Sequence, residues 1–204
     1  MKKLIAGLIM AVGLVGVAQA QTQGDPEAGE ALAATCAACH GQAGAAPTVP
    51  NYPKIAELGE KYLLKQLLDI KEGRRVVPEM AGILDPMSEE DLINLAAYFD
   101  AQEIGVGQAD PELVDAGQEL YRGGNLASNV AACTACHGPA GDGIESAAFP
   151  RVGGQSAAYL AKQLTDWQQG ARDNDPNAMM QDIASRLTDA EIEAVSSYMS
   201  GLQQ

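Results

Sequence analysis

Cys36-Ala-Ala-Cys39-His40-Gly41 and Cys133-Thr-Ala-Cys136-His137-Gly138 differ at one position and lie 97 residues apart in a chain of 204. Working outward, the same shift lays Gly44 on Gly141 and Pro53 on Pro150. It also carries Tyr62, Leu63, Lys65, Gln66, Leu67, Asp69, Gly73 and Arg75 onto Tyr159, Leu160, Lys162, Gln163, Leu164, Asp166, Gly170 and Arg172. Agreement at that density marks an internal duplication. Farther on the shift becomes 100, pairing Met80 with Met180, Asp91 with Glu191 and Tyr98 with Tyr198. The second half therefore has three extra residues near Asn174-Asp175-Pro176, and a longer lead-in to its cysteines from Gly123 to Val130.

Each half reads as helical, which predicts an all-α chain of two tandem domains. Asp25-Pro26-Glu27 and Asp110-Pro111-Glu112 offer a capping carboxylate followed by proline at a first helical position. Tyr62 to Asp69 and Tyr159 to Asp166 supply a middle helix in each half. Leu92, Leu95, Ala96 and Phe99, and likewise Ile192, Val195, Met199 and Leu202, recur at the spacing of one apolar helical face. Ser88 with Asp91 and Thr188 with Glu191 form capping-box patterns ahead of those last helices. Alternating strand patterns bounded by hairpin signals are missing. Residues 101–109 contain Gly105 and Gly107 and have no apolar helical face, so they read as a linker, short enough that the two domains should pack together.

Lys2 and Lys3, the apolar run Leu4 to Val17, and Ala18-Gln19-Ala20 form a secretion leader with a small-x-small cleavage site after Ala20; the run is short for a membrane span. The expected divisions are a leader at 1–20, a first domain at 21–100, a linker at 101–109 and a second domain at 110–204. The formal net charge is −14, and losing Lys2 and Lys3 with the leader makes the exported chain more acidic still. Nucleic acid is excluded as a partner on that charge. Domains of fewer than a hundred residues build a modest apolar core, and a bulky buried cofactor would supply missing packing.

Two thiols spaced Cys-x-x-Cys can bond the two vinyl groups of one porphyrin while the adjacent histidine reaches the iron, which is why Cys-x-x-Cys-His signals covalent attachment of c-type haem. A thioredoxin-like pair needs a βαβ setting that this sequence lacks. Disulfides suit an exported chain but leave the paired histidines unexplained. A zinc site needs further ligands or cooperation between distant motifs. The expectation is two covalently bound haem c groups, held by Cys36, Cys39 and His40 and by Cys133, Cys136 and His137.

His40 and His137 are the only histidines, so bis-histidine ligation within one chain is excluded. Methionine is then the leading sixth ligand, the pairing that raises reduction potential in cytochromes c. Of the methionines beyond the leader, Met199 falls on an apolar helical face opposite Phe99 in the repeat and Met87 maps to Leu187, so both read as packing. Met80 and Met180 map to each other and are the candidate axial ligands; one residue of slippage in register would favour Met179. Arg75 and Arg172 match across the repeat and suit haem propionates, or equally a solvated loop. Trp167, Tyr62 and Tyr159 read as amphipathic packing, with an electron route or a propionate contact as the competing role.

The joint pattern resembles the cytochrome c4 family of periplasmic dihaem proteins. It is carried by both Cys-x-x-Cys-His motifs, Tyr62-Leu-Leu-Lys-Gln-Leu67, Pro78-Glu-Met80, Tyr159-Leu-Ala-Lys-Gln-Leu164 and Met179-Met180-Gln181. The resemblance implies two class I cytochrome c folds related by an approximate twofold, with haem propionate edges near the interface and His40/Met80 and His137/Met180 ligation. It further implies a non-enzymatic carrier passing electrons to a terminal oxidase or another respiratory partner such as a cytochrome bc1-type complex or a dehydrogenase, free in the periplasm or loosely associated with a membrane. Unlike relatives described as charge-asymmetric, residues 21–109 and 110–204 carry the same negative net charge here. A dihaem subunit of a flavocytochrome-type, sulfide-oxidising dehydrogenase is the alternative. A dihaem peroxidase would need an open iron site, against which the paired methionines argue.

Overall fold

Asp25 starts the first helix: its Oδ1 accepts hydrogen bonds from the backbone N–H groups of Glu27 and Ala28 at 2.9 and 3.3 Å, and Pro26 follows at the first helical position. The structure is a computed structural model that describes residues 24–202, so the leader and its cleavage point after Ala20 lie outside the described residues. The first half contains α1 (Pro26–Leu32), α2 (Ala34–His40), α3 (Glu60–Lys71) and α4 (Glu89–Asp100); the second contains α5 (Val114–Gly123), α6 (Thr134–His137), α7 (Ala157–Gln168), α8 (Met179–Ala184) and α9 (Asp189–Ser200). Among the described residues the only β pairing is two isolated bridges, Asn125 with Val130 and Ile144 with Phe149. The chain is all-α, as its periodicity requires. Both capping boxes are formed, with Ser88 and Asp91, and Thr188 and Glu191, each exchanging side-chain and backbone bonds.

One expectation from the repeat needs correction. Asp110-Pro111-Glu112 resembles Asp25-Pro26-Glu27, yet α5 begins at Val114 with Leu113 at its cap and no side-chain cap bond. Asp110 instead closes a separate turn, its side chain accepting from Glu112 N and its carbonyl from Leu113 N. The two Asp-Pro-Glu segments sit at different helical registers.

In each half the opening helix crosses the closing helix at a glycine. A Cβ built on Gly29 would lie 2.1 Å from the Asn94 carbonyl oxygen, and one on Gly117 would lie 2.3 Å from that of Ala194. Backbones that close leave room for hydrogen alone. The crossings nucleate two apolar cores, one around Leu63, Leu92, Leu95 and Phe99, the other around Leu120, Leu160, Ile192, Val195 and Met199. Ile104, from the stretch joining the halves, is buried in the first core, and its N–H donates to Glu57 at 3.2 Å.

The halves meet through α3 and α7. Gln66 on α3 and Gln163 on α7 are buried although polar, because each accepts from both interface arginines. Arg75 donates to Gln66 at 2.8 Å within its own half and to Tyr159 and Gln163 at 3.0 and 2.9 Å across the interface. Arg172 reciprocates, donating to Gln163 at 2.7 Å and across to Tyr62 and Gln66 at 3.2 and 3.0 Å. A second tie joins Lys54 and the buried Gln155 by two backbone-to-amide bonds of 2.9 and 2.7 Å. Packed halves thus follow from the same repeat positions that looked amphipathic in sequence.

Candidate haem-binding sites

α2 and α6 each end on a motif histidine, followed by Gly41 and Gly138 with φ of 76° and 79°, a turn that glycine takes without strain. Helical spacing places the first cysteine and the histidine, four apart, on one face, with the second cysteine beside them. All four cysteines are free thiols. Cys36 and Cys133 pack against the two apolar cores, whereas Cys136 is exposed. Burial raises the Cys36 thiol above its ordinary value and pushes the Cys133 thiol up to about 11. Thiols kept protonated are poor redox nucleophiles. Among the described residues no group of three or more His, Cys, Asp or Glu could hold a metal ion.

The two imidazoles share one orientation. His40 Nδ1 lies 2.8 Å from the carbonyl oxygen of Pro53, and His137 Nδ1 lies 2.9 Å from that of Pro150. A carbonyl only accepts, so Nδ1 carries the proton and Nε2 presents a lone pair, the arrangement that orients a histidine ligand. Burial holds both imidazoles below their ordinary value, outweighing the carbonyl bonds that favour the protonated form. The repeat pairs Pro53 with Pro150, but their role is a backbone acceptor and left no side-chain signature to find.

In the second half a cavity of about 200 Å³ brings the sequence candidates together: Cys133, Cys136, His137 and Met180 all line it, with Met179 beside them. Met180 packs against the apolar core, while Met179 is 39% exposed. In the first half Met80 packs against its core together with Cys36. Met199 is buried core, and Met87 also packs against apolar side chains.

Haem fits this setting on two further observations. Trp167 lines the same cavity, and its Nε1–H is buried with no hydrogen-bond partner in the protein; an orphaned buried donor calls for an acceptor from a bound group. Arg75 and Arg172 crowd two guanidinium charges into the interface with only neutral side-chain acceptors. Carboxylates carried by a cofactor would offer those guanidiniums the ionised acceptors that their side-chain bonds lack. Arg172 also lies 4.2 Å from the Trp167 ring centroid. Burial alone would raise the Tyr62 hydroxyl, yet the Arg172 and Arg75 charges hold it below its ordinary value.

The family described as cytochrome c matches residues 114–203, and the family described as cytochrome c oxidase, cbb3-type, subunit III matches residues 24–99. Over 203 residues, covering 99% of this chain and the whole of the relative, the sequence is 52% identical to cytochrome c4 of Pseudomonas aeruginosa. The chain belongs to the cytochrome c4 family. The crystal structure of reduced recombinant cytochrome c4 from Pseudomonas stutzeri superposes with a TM-score of 0.86 at 50% identity, covering 88% of this chain and all of that one. A more distant relative, the thiosulfate dehydrogenase electron acceptor of Stutzerimonas stutzeri, is 37% identical over 74% of this chain and 71% of its own length. This cytochrome c4 family member therefore consists of two cytochrome c domains, carries two covalently bound haem c groups, and is a dihaem electron carrier with redox partners rather than an enzyme.

Proposed function

We propose that the chain is exported to the periplasm after cleavage following Ala20 and carries electrons to a terminal oxidase or another respiratory partner, using one His/Met site in each of two domains at residues 21–100 and 110–204. Cys36, Cys39, His40 and Met80 hold the first haem; Cys133, Cys136, His137 and Met180 hold the second. The observation that carries this reading is the cavity on which Cys133, Cys136, His137 and Met180 converge, in a half whose two motif cysteines, histidine and methionine are repeated in the other. Each bound haem supplies a one-electron iron couple. The protein's part is to keep that couple closed and dry. Pro53 and Pro150 fix the histidine tautomers, the apolar cores exclude water, and Arg75 and Arg172 stand ready to neutralise propionates. Among the described residues no helix is long and apolar enough to cross a membrane, which suits a carrier that is free or loosely membrane-associated.

A spectroscopic redox titration of the exported holoprotein, with haem quantified per chain, tests the reading. Two low-spin haems per chain are expected, and substituting Met80 or Met180 should each remove the methionine–iron band from one of them. One haem per chain, high-spin iron, or loss of the band on substituting Met179 in place of Met180 would overturn it. A second reading, an electron-accepting subunit of a dehydrogenase, is favoured by the 37% identical thiosulfate dehydrogenase electron acceptor. Stable copurification with a dehydrogenase chain from the native source would select it; a flavin-bearing partner would identify the flavocytochrome type.

A further inference from the structure

The stretch Asn174-Asp175-Pro176, near which the second half has three extra residues, lies where the domain interface runs into the Met180 turn. Asn174 reaches backward into the first half. Its Nδ2 donates to Gln66 at 3.1 Å and to Asp69 at 2.6 Å, and its carbonyl accepts from Lys65 Nζ at 2.6 Å. Its Oδ1 accepts from Arg172 Nε at 3.0 Å, joining it to the arginine network. Asp175 reaches forward. One carboxylate oxygen accepts from the backbone N–H groups of Met180 and Gln181 at 2.7 and 3.1 Å, and the other accepts from the Gln181 side chain at 2.8 Å. Between Asp175 and the methionines, Asn177 and Ala178 sit at φ of 56° and 53°, a conformation that non-glycine residues hold only when their surroundings impose it.

The first half is built differently. Its Pro78–Met80 turn is closed by backbone alone, Met80 N–H to the Val77 carbonyl at 2.9 Å, and no residue from Val76 to Ala81 has positive φ. Asp69, the first-half carboxylate that receives Asn174, is buried and also bonded by Lys65 and Arg74, so the anchor point is itself fixed.

We infer that Asn174 and Asp175 are positioning residues that moor the Met180 turn to the first domain, so that ligation of the second iron depends on docking of the two halves while ligation of the first does not. The inference rests on Met180 being the second axial ligand. Its consequence is one-way coupling. Loosening the interface should free the second methionine from its iron and leave the first in place, giving the two centres of an otherwise symmetric duplication different ligand stability.

The test uses the ferric holoprotein and imidazole as a competing sixth ligand, with the axial-methionine methyl resonance of each haem as a separate signal assigned by Met80→Ala and Met180→Ala. Asp175→Ala should raise imidazole affinity at the second haem about tenfold, the size of effect that losing a charge-assisted hydrogen bond gives. Asn174→Ala should raise it several-fold although that residue touches no part of the methionine. Asp175→Asn, which keeps one acceptor oxygen, should recover part of the loss. The first haem should keep both its affinity and its methionine signal, which also shows that each variant is folded. If Asn174→Ala leaves the second haem unchanged, or if both haems respond alike, the mooring is refuted. If Met180→Ala removes neither methionine signal, the ligand assignment fails and the inference falls with it; if it removes one while Asn174→Ala and Asp175→Ala have no effect, only the inference falls.

Discussion

Replacing Gly29 by alanine sets two effects of opposite sign against each other, and the geometry decides between them. In a helix interior alanine is favoured over glycine by about 1 kcal/mol, so propensity alone makes Gly29→Ala stabilising. The new Cβ, however, would lie 2.1 Å from the Asn94 carbonyl oxygen, 2.6 Å from its carbon and 2.7 Å from the Tyr98 Cβ, against ordinary contacts of 3.4–4 Å. Two of those atoms are backbone inside α4 and cannot rotate away. The α4 axis must retreat by more than ~1 Å where Asn94 and Tyr98 face α1, and overpacking of this kind typically costs ~1–3 kcal/mol before the loosened core is counted. We expect a net loss of about 1–2 kcal/mol, confined to the unfolding transition of the first half, with Gly29→Val worse. Because α1 leads through Ala33 directly into α2 and its Cys36, Cys39 and His40, the first haem should lose its methionine band at lower urea concentration than the second. Urea unfolding of the holoprotein, followed by far-ultraviolet circular dichroism and by each haem's band, measures both effects. A Gly29→Ala protein about 1 kcal/mol more stable than its parent would refute the close-crossing argument.

Arg172→Met removes four side-chain hydrogen bonds, two of them across the interface; with bonds from a charged donor contributing about 1.5–3 kcal/mol each and Arg75 still serving both glutamines, docking should weaken by about 3 kcal/mol, seen as faster amide exchange along α3 and α7. Asp69 gives a pH dependence: burial would raise its carboxyl, but bonds from Lys65, Asn174 and Arg74 hold it below the ordinary carboxylate value. Its contribution is therefore complete above about pH 4 and lost as pH falls through the depressed folded value, so Asp69→Asn should flatten the acid limb of stability, and an unchanged limb would count against it. Thr188→Ala breaks the capping box of α9 and should cost about 1 kcal/mol, read as a lower thermal midpoint of the second half. Association with a basic redox partner should slow steeply as salt rises, given a net charge of −14; a rate insensitive to ionic strength would remove electrostatic steering from the account.

What was legible in sequence was local or repeated. Cys-x-x-Cys-His acts within one helical turn, the capping boxes span four residues, and the shift from 97 to 100 made Met180, rather than Met179, the candidate that repeats Met80. What escaped depends on groups that share no spacing. The imidazole acceptors are backbone carbonyls, so Pro53 and Pro150 were paired but given no role. The crossing glycines, Gly29 and Gly117, are 88 residues apart because the Gly123–Val130 lead-in lies between them and the motif, and a search at 97 passes over them. Asp110-Pro111-Glu112 misled for the converse reason, being a likeness of residues without a likeness of register. Gln66 and Gln163 repeat faithfully, yet a glutamine on a helix carries no mark of burial until the facing arginine is in place.

The interface core is reciprocal in the manner of a twofold dimer: Arg75 bonds Tyr159 and Gln163, Arg172 bonds Tyr62 and Gln66, and each contact implies its mirror image. A duplicated gene product with only these contacts would offer an electron two nearly equivalent centres, and equal net charge on the halves does nothing to separate them. Asymmetry enters at substituted repeat positions, such as Trp167 in place of Ile70, and where the repeat is broken. One break, the lead-in before Cys133, forms a bridged turn closed by Asn125 and Val130 and lengthens the approach to the second motif. The other places Asn174 and Asp175 between Asp69 of one half and Met180 of the other. On the proposed His/Met ligation, a small insertion at the rim of a symmetric core would be enough to distinguish the centres, because it leaves the shared arginine and glutamine positions untouched while Asp175 supports the Met180 turn with bonds that the Met80 turn lacks.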